Sequence, residues 1–545
     1  MKKLATILLT SIAFIAVIAC GYKIIKPRLY LKQDIHMIAG SEHFIGTVGN
    51  LEETIQIIQS KLDPGKFYPE LDIFNPYDGS LFPRDIASPT FIWEDWQPRT
   101  NLWLVSIRFD QNDNALRVLT DRKRWIPDKA TWEIIKEHSL ERKAYLTITG
   151  INRGNSYEIV SKSGIAFSTS ADEVGTPIFF VQMPLPFARG KQYPELFQWR
   201  FGTVSSYDQP PVVMKNLPVC GNCHHFSRDG KTFGMDIDYN QDKGGYILTP
   251  VSEEMMLTKD DVITWNDFRG SASGKSSGFF SRISPDGKYI VSTVKDQSFF
   301  AMLSDPDFSQ FFFPVRGYIA WYDIEKGIFS ALPGADEHDY IQTCPAWSPD
   351  GKYIVFSRTG VDKKLLDILG GKDYITVGPD VRISDLNKKY KIRFDLYRVT
   401  FNEGKGGAPE PLAGASNNGK SNYFPRFSPD GKWIVFTQSP TGLAIQPESK
   451  LYIVPAEGGV ARKLRCNTNI MNSWHSWSSN SRWLVFSSKT NTPYTELFIT
   501  HIDENGFDSP PVLLSRFSAE DLACVAPEFV NLEPGAIRTI QVVGK

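Results

Sequence analysis

The chain has 545 residues, enough for more than one domain, and 41% of them are hydrophobic, enough to bury a sizeable core. Lysine and arginine number 60 and aspartate and glutamate 61, so the formal net charge is −1. This balance argues against a nucleic-acid partner, which requires a strongly basic surface. The six cysteines are too scattered to form a dense disulfide framework.

The first twenty residues have the features of an export signal. A basic start, Met1–Lys3, precedes an apolar run over Leu4–Ala19, which is shorter than the roughly 20 residues of a comfortable transmembrane helix. The run ends in Val17–Cys20, which resembles the bacterial lipobox. The resemblance implies cleavage before Cys20, attachment of lipid to its thiol and anchoring to a membrane. A plain signal peptide or an uncleaved anchor is the alternative, and all three predict a periplasmic or envelope location.

Residues 21–69 are predicted to form a stalk with one short helix, and residues 70–175 a β-sandwich-like domain. Apolar residues of the stalk follow a helical period at Leu51, Ile55, Ile57, Ile58 and Leu62. The second segment has short apolar or alternating strands with turn residues between them, at Thr90–Trp93, Leu102–Phe109 and Ala144–Thr149. Strands at this spacing resemble those of immunoglobulin and fibronectin type III sandwiches, which implies a spacer or a partner-binding module.

A repeated segment marks the rest of the chain, residues 176–545. The sequence Ser-Pro-Asp-Gly-Lys-Tyr-Ile-Val starts at Ser284 and at Ser348, and returns with one change from Ser428; altered copies start at Ser227 and Ser478. Asp-Gly favours a tight turn because Gly accepts positive φ, and β-branched and aromatic residues follow it. Each copy therefore predicts a β-hairpin that must stack on its neighbours to bury its faces.

The copies resemble the TolB-type, WD-like propeller repeat, which implies an all-β chain ending in a six-bladed β-propeller over residues 176–545. Pro527–Phe529 resembles the lead-in to a sixth copy, which lacks outer strands at the carboxyl terminus. The segments Pro177–Val181 and Phe197–Phe201 are predicted to supply these strands and to latch the ring. A propeller by itself specifies no function.

Cys220-Gly-Asn-Cys223-His224 is a Cys-x-x-Cys-His motif, with which c-type cytochromes hold haem. In that family the two thiols bind the haem vinyl groups and the histidine ligates the iron. With so few Cys and His residues, about one random chain in a thousand would contain the motif. The surrounding sequence is similar to that of exported bacterial proteins with one such motif and TolB-like repeats. The resemblance implies one covalent haem c bound by Cys220 and Cys223, with His224 as the proximal iron ligand.

Other roles for the two motif cysteines remain open. They can form a local disulfide, or half of a zinc site completed by residues such as Cys344, His475 or Cys524. A thioredoxin-like redox pair requires a βαβ context, whereas a turn-rich hairpin follows the motif. The three cysteines that lie far apart are expected to be buried structural thiols: Cys344, Cys466 and Cys524.

Aligning the repeats on their turn serines places the motif relative to a propeller channel. His224 lies three places before Ser227, and His475 lies three places before Ser478. Both are therefore predicted at the mouth of the central channel. Candidate ligands for the far side of the iron are His475, Met214 and Met235, together with His225, although a structural or solvated role is favoured for each of these residues.

Two functions follow from these features. The first is a membrane-anchored monohaem cytochrome in electron transfer or haem-dependent redox chemistry, with a redox partner protein or a small-molecule substrate and with no decision between carrier and enzyme. The alternative is a TolB-like scaffold that binds envelope proteins or glycans, with the cysteine motif as a disulfide or metal staple. The sequence has no P-loop, Gly-x-Ser-x-Gly or His-Glu-x-x-His motif, which argues against common nucleotide-dependent enzymes, serine hydrolases and zincins.

Overall fold

The computed structural model describes residues 31–110, 113–217, 221–270, 274–302, 310–377, 383–444 and 446–543. The predicted leader, the lipidation residue Cys20 and the first motif cysteine, Cys220, lie outside these ranges. Strands dominate the described chain and the helices are short, which confirms the prediction of a mainly β protein. No helix within the described ranges is long and apolar enough to cross a bilayer.

The amino-terminal unit packs a six-stranded sheet and a three-stranded sheet around one core. Its elements are β1 (Ile35–Ala39), α1 (Glu42–Thr47), α2 (Leu51–Ser60), β2 (Asp72–Asn75), β3 (Ser80–Phe82), β4 (Phe91–Glu94), β5 (Leu102–Phe109), β6 (Ala115–Thr120), β7 (Arg124–Trp125), α3 (Lys129–Ser139), β8 (Ala144–Asn152) and β9 (Glu158–Thr169). The strand orders are β1-β6-β5-β8-β9-β3 and β2-β4-β7. The parallel pairs β1–β6 and β3–β9 and the helix α3 are not part of the predicted immunoglobulin-like sandwich.

Residues 35–60, assigned to a stalk from the sequence, pack into this unit. β1 pairs in parallel with β6, so that Ile35 lies opposite Leu116. The helix α2 lies where the apolar period predicts one, and Ile55 and Ile58 are fully buried in one cluster with Leu104. Burial of this apolar face favours packing onto the sheet over an extended stalk.

Antiparallel sheets make up the rest of the chain. Its elements are β10 (Ile178–Pro184), α4 (Phe187–Gln192), β11 (Gln198–Gly202), β12 (Val212–Lys215), β13 (Gly221–Phe226), β14 (Thr232–Tyr239), β15 (Asp242–Pro250), β16 (Glu254–Leu257), β17 (Val262–Thr264), β18 (Arg282–Ile283), β19 (Tyr289–Met302), β20 (Gln310–Asp323), β21 (Ile328–Ala331), β22 (Tyr340–Trp347), β23 (Tyr353–Gly360), α5 (Lys363–Leu369), β24 (Tyr374–Val377), α6 (Ile383–Lys389), β25 (Asp395–Thr400), β26 (Glu410–Pro411), β27 (Ser421–Phe427), β28 (Trp433–Ser439), β29 (Lys450–Pro455), β30 (Arg462–Lys463), β31 (Asn472–Trp477), β32 (Trp483–Ser488), β33 (Glu496–His501), β34 (Val512–Leu513), β35 (Leu522–Phe529) and β36 (Thr539–Val542). We number the sheets in chain order of their inner strands: sheet 1 (β13-β14-β15-β17), sheet 2 (β18-β19-β20-β21, with β24 beside β19), sheet 3 (β22-β23-β25-β26), sheet 4 (β27-β28-β29-β30), sheet 5 (β31-β32-β33-β34) and sheet 6 (β35-β10-β11-β12). β16 and β36 form a separate parallel pair.

Every repeat predicted from the Asp-Gly pattern forms a hairpin whose turn is held by local hydrogen bonds. Ser227 Oγ donates to Asp229 Oδ1 at 2.7 Å, and an equivalent bond is made by each later turn serine: Ser284, Ser348, Ser428 and Ser478. The turn glycine is left-handed, with φ 74° at Gly230. In the most altered copy Ser481 takes this place with φ 60°, a conformation that is less favourable for a residue with a Cβ.

Sheet 6 combines the two ends of this region, which confirms that distant segments supply the outer strands of the sixth repeat. β10 pairs with β35 and with β11, so the segments predicted around 177–181 and 197–201 supply the outer strands. The inner strands contact each other in the order β13, β18, β22, β27, β31 and β35, and β35 also contacts β13.

The amino-terminal unit packs against sheets 5 and 6. Its aromatic core residues Phe82 and Trp132 share one buried cluster with Phe180 of β10 and Trp483 of β32. Polar contacts accompany this core: Ser80 Oγ donates to the carbonyl of Pro511 at 3.3 Å. A shared apolar core fixes the unit against the sheets.

Candidate functional site

A bulge interrupts the inner strands four places before the turn position. In sheets 1, 3, 4 and 5 the pairing register shifts at this point. The residue at this place has a left-handed backbone in five of the sheets: Phe280, Cys344, Phe424, Trp474 and Ala526. Bulges redirect the side chains that follow them. The recurrence of the bulge therefore sets which residues face the space between the inner strands.

The six inner strands line a cavity of about 380 Å³. Each strand contributes the residue two places before its turn position: His225, Arg282, Ala346, Arg426, Ser476 and Glu528. On the side of the turns, Arg228 extends across the cavity and donates to the carbonyls of Pro349 (2.8 Å) and Pro429 (3.3 Å). This arginine occupies the place of the turn proline in three of the other copies, Pro285, Pro349 and Pro429, and partly covers this end.

His224 lies in the wall of the cavity and packs against sheet 6. Its imidazole is buried, with the ring centroid 4.7 Å from that of Phe179. Neither ring nitrogen makes a hydrogen bond of normal geometry to the described residues, and Nε2 lies 4.0 Å from Glu528 Oε2. Burial lowers the pKa of His224 to about 4, although Glu528 opposes the shift. The ring is therefore neutral at pH 7, the form that binds a metal.

Cys223 contributes a half-buried thiol to the same cavity wall and forms no disulfide with another described cysteine. Burial and the neighbouring Asp236 raise the pKa of this thiol to about 12, although Arg282 and Arg426 oppose the shift. The thiol is thus protonated at neutral pH, unlike the activated thiolate of a redox pair. Cys220 falls outside the described residues, so the pairing of the two motif cysteines remains a prediction.

Glu528 is a carboxylate beside the two histidines of the motif region, His224 and His225. One of its oxygens, Oε1, lies 2.7 Å from His225 Nδ1 and accepts a hydrogen bond from the backbone N–H of Phe226 at 3.1 Å. Burial alone would raise the pKa of Glu528, but His225, His224 and Arg282 lower it to about 2. Glu528 is therefore ionised and joins sheet 6 to sheet 1.

The other candidate iron ligands lie at three different places relative to the motif histidine. His475 is buried at the equivalent place in sheet 5, but its Nε2 contacts the carbonyl of Val435 in sheet 4 at 2.9 Å. Met235 lies opposite His224 in the β13–β14 register, and both are buried. Met214 lies on β12, at the far edge of sheet 6, in the same apolar cluster as Met235.

The cysteines proposed to complete a zinc site are not gathered around the motif. The three expected buried thiols are buried and free, which confirms that prediction: Cys344, Cys466 and Cys524. Cys524 Sγ donates to the carbonyl of Phe517 at 3.3 Å. Across the described ranges no group of three or more His, Cys, Asp or Glu residues is placed to hold a metal ion. The zinc alternative therefore has no ligand set in this part of the chain.

Aromatic side chains border the cavity on the side away from the turns. The rings of Phe280 and Phe424 are 5.3 Å apart, and those of Phe300 and Phe312 are 5.2 Å apart. Phe300 and Phe312 come from β19 and β20, which extend beyond the other hairpins of the repeat. This apolar cluster also includes Trp474 and Cys344. It gives the cavity one apolar boundary and leaves the polar groups on the inner strands.

Sequence alignment alone missed the residues that face the cavity. The alignment selected the position three places before the turn, which holds His224 and His475. The position two places before the turn holds Arg282, Arg426 and Glu528. The missed signal was that polar or small residues occupy this next position in every copy. An alternating strand pattern gave no reason to prefer it, because the bulge that redirects the side chains has no sequence signature.

No protein-family model and no curated protein sequence matches the chain. Solved structures similar to it include TolB from Acinetobacter baumannii, with 13% identity, a TM-score of 0.40, and coverage of 91% of this chain and 96% of that one. An oligogalacturonate lyase from Vibrio parahaemolyticus shares 11% identity (TM-score 0.34, 62% and 72% covered). Kuenenia stuttgartiensis hydrazine synthase shares 16% (TM-score 0.30, 55% and 81% covered). Similarities this low identify no function for this chain.

Proposed function

We propose that sheets 1 to 6 are the blades of a closed, TolB-type β-propeller. The pairing of β10 with β35 and the contact of β35 with β13 support closure. Since closure leaves only short protected edges, it accounts for the joining of distant segments in sheet 6. The cavity between the inner strands is then the central channel.

We infer that this propeller carries one haem c, attached through Cys220 and Cys223 and ligated at iron by His224. The observation that carries the proposal is that the motif histidine is a buried imidazole with no normal hydrogen bond to the described residues, in the wall of the cavity that Cys223 also lines. A buried polar group without a partner is costly, and a metal ligand bond relieves that cost. The buried, neutral imidazole of His224 and the nearby thiol of Cys223 support the proposal, because both have the chemistry that the group needs.

A haem bound here supplies one-electron redox chemistry. The chain's own residues set the protonation state of the ligand histidine and the polarity around it. Burial keeps His224 neutral, so no proton must leave its ring before it acts as a ligand. The rings of Phe280 and Phe424 give the cavity an apolar side, and apolar surroundings tune the potential of a redox centre.

We propose that the protein works in electron transfer or haem-dependent redox chemistry outside the cytoplasm, anchored by lipid at Cys20. The leader sequence supports this location, because covalent attachment of haem in bacteria takes place after export. The periplasm or cell envelope also contains the redox partner or small substrate that the site requires.

Haem staining after denaturing electrophoresis tests the attachment. Protein made in a host with cytochrome c maturation is expected to keep its haem through boiling in detergent, and the Cys220→Ala/Cys223→Ala variant to lose it. Cys344→Ala is the matched control, because Cys344 occupies in sheet 3 the same repeat position as Cys223 in sheet 1 and its thiol is likewise free. Loss of haem from Cys344→Ala as complete as that from the double variant would point to misfolding. A wild-type protein that does not stain for haem would contradict the proposal and favour the scaffold function.

A further inference from the structure

Two arginines face the cavity without a carboxylate partner. Arg282 and Arg426 both occupy the position two places before a turn serine, and both line the cavity. Neither guanidinium has an Asp or Glu oxygen within 4.0 Å among the residues that the structure describes. Charged groups that leave bulk water usually require a counter-ion, so this pair of guanidiniums is suited to an anion.

Most donors of the two guanidiniums are not used by the described chain. Arg282 Nη1 donates to the carbonyl of His224 at 3.2 Å, and its Nε has no hydrogen-bond partner in the described chain. Arg426 Nη1 donates to the carbonyl of Pro425 at 3.0 Å. A guanidinium has five N–H donors in a planar fork that matches a carboxylate. Both residues therefore retain donors for a ligand.

Glu528 does not neutralise the pair. Its Oε1 is occupied by His225 and by the backbone of Phe226. Burial and the neighbouring charge of Arg282 lower the pKa of Arg426 to about 9, while Glu528 opposes the shift. Arg426 is therefore still charged at neutral pH, and among the described residues that line the cavity the guanidiniums of Arg282 and Arg426 face one carboxylate, that of Glu528.

We infer that Arg282 and Arg426 together bind a carboxylate group inside the cavity. The volume of about 380 Å³ lies in the range of small-ligand sites. Two sources have this chemistry: a propionate of the proposed haem, or the carboxylate of a free small molecule. The inference goes beyond the haem proposal and does not require it, because the arginines belong to sheets 2 and 4 and not to the cysteine motif.

Acetate binding to the full chain tests the site and distinguishes the two sources. Haem-free protein, made without haem attachment, is titrated with acetate by calorimetry at constant ionic strength, with chloride as the reference anion. We expect saturable binding that weakens at least about tenfold in Arg282→Gln and in Arg426→Gln. Arg426→Lys keeps the positive charge but not the planar fork of N–H donors, so its affinity for acetate is expected to lie between those of the wild type and Arg426→Gln.

Arg398→Gln is the control, because Arg398 forms an exposed pair with Glu457 outside the cavity. It should bind acetate like the wild type. Loss of binding on haem loading assigns the arginines to a propionate, and persistence of binding assigns them to a free carboxylate. Absence of binding in the haem-free chain, or binding that both arginine substitutions leave unchanged, would overturn the inference. The titration of the haem-free chain tests the arginine site even if the cysteine motif carries no haem.

Discussion

At the scale of single residues, Asp236 is an exception within the repeat. The equivalent place in the later copies holds a hydroxyl residue: Thr293, Ser357, Thr437 and Ser487. Thr293 and Ser487 use this hydroxyl to reach the inner strand of the next sheet, at Thr343 (3.0 Å) and Cys524 (3.1 Å). Asp236 Oδ2 makes the corresponding contact by accepting from the N–H of Phe280 at 3.1 Å. The carboxyl thus keeps the bridge but adds a titratable group.

Asp236→Asn is expected to make stability less dependent on pH. Burial raises the pKa of Asp236 from the ordinary aspartate value of 3.8 to about 7, although Ser281 and Arg282 oppose the shift. A raised pKa means that the folded state binds the proton more tightly, so stability is fully present below pH 4 and is lost as pH rises to about 7. The wild type should lose roughly 2–3 kcal/mol between pH 5 and 8 through this group. Urea unfolding at both pH values measures it, and equal losses in wild type and variant would contradict the assignment.

At the scale of elements, tryptophans connect neighbouring sheets through their inner strands. Trp347 Nε1 in sheet 3 donates to the carbonyl of Arg282 in sheet 2 at 3.1 Å. Trp477 Nε1 in sheet 5 donates to the carbonyl of Arg426 in sheet 4 at 3.3 Å. Each bond holds the backbone of a cavity-facing arginine. The tryptophan directly before the turn serine therefore packs neighbouring sheets together and also fixes the backbone of a residue that faces the cavity.

Trp477→Phe is expected to destabilise the fold more than Trp321→Phe. Both tryptophans are buried to a similar extent, at 6% and 8% exposure, so the loss of ring volume is comparable. Trp321 Nε1 has no hydrogen-bond partner among the described residues, whereas Trp477 Nε1 has one. The difference between the two free energies of unfolding should be about 1 kcal/mol. Equal values from urea denaturation would show that the bond between the sheets contributes nothing.

The sequence predicts some elements better than others for a physical reason. Hairpin turns depend on local chemistry, and the aspartate and the left-handed glycine of the first four turns were accessible from the repeat. The helix α3 was missed, although Asp128 caps it and Trp132 and Ile135 form its buried side. It interrupts a segment of alternating strands and has little signal of its own. The bulge at Cys344 was also missed, since a left-handed non-glycine residue is fixed by tertiary packing.

At the scale of the whole molecule, the joining of distant segments was predicted and the orientation of the site was not. The incomplete sixth repeat required strands from elsewhere, and β10 and β11 supply them. The repeat predicted that His224 lies at the mouth of a channel, and the structure places His224 on the strand β13 in the wall of a cavity. The repeat did not reveal that His224 packs against Phe179 of β10, because this contact arises only after sheet 6 has formed.

The central claim is that the motif cysteines bind haem covalently next to the cavity. Trypsin is expected to release one peptide spanning residues 216–228, which contains Cys220, Cys223 and His224 between Lys215 and the cleavage site at Arg228. Mass spectrometry of protein from a host with cytochrome c maturation tests the claim directly. We expect this peptide to carry one haem bound to both cysteines. A peptide found only with free thiols or with a Cys220–Cys223 disulfide would contradict it.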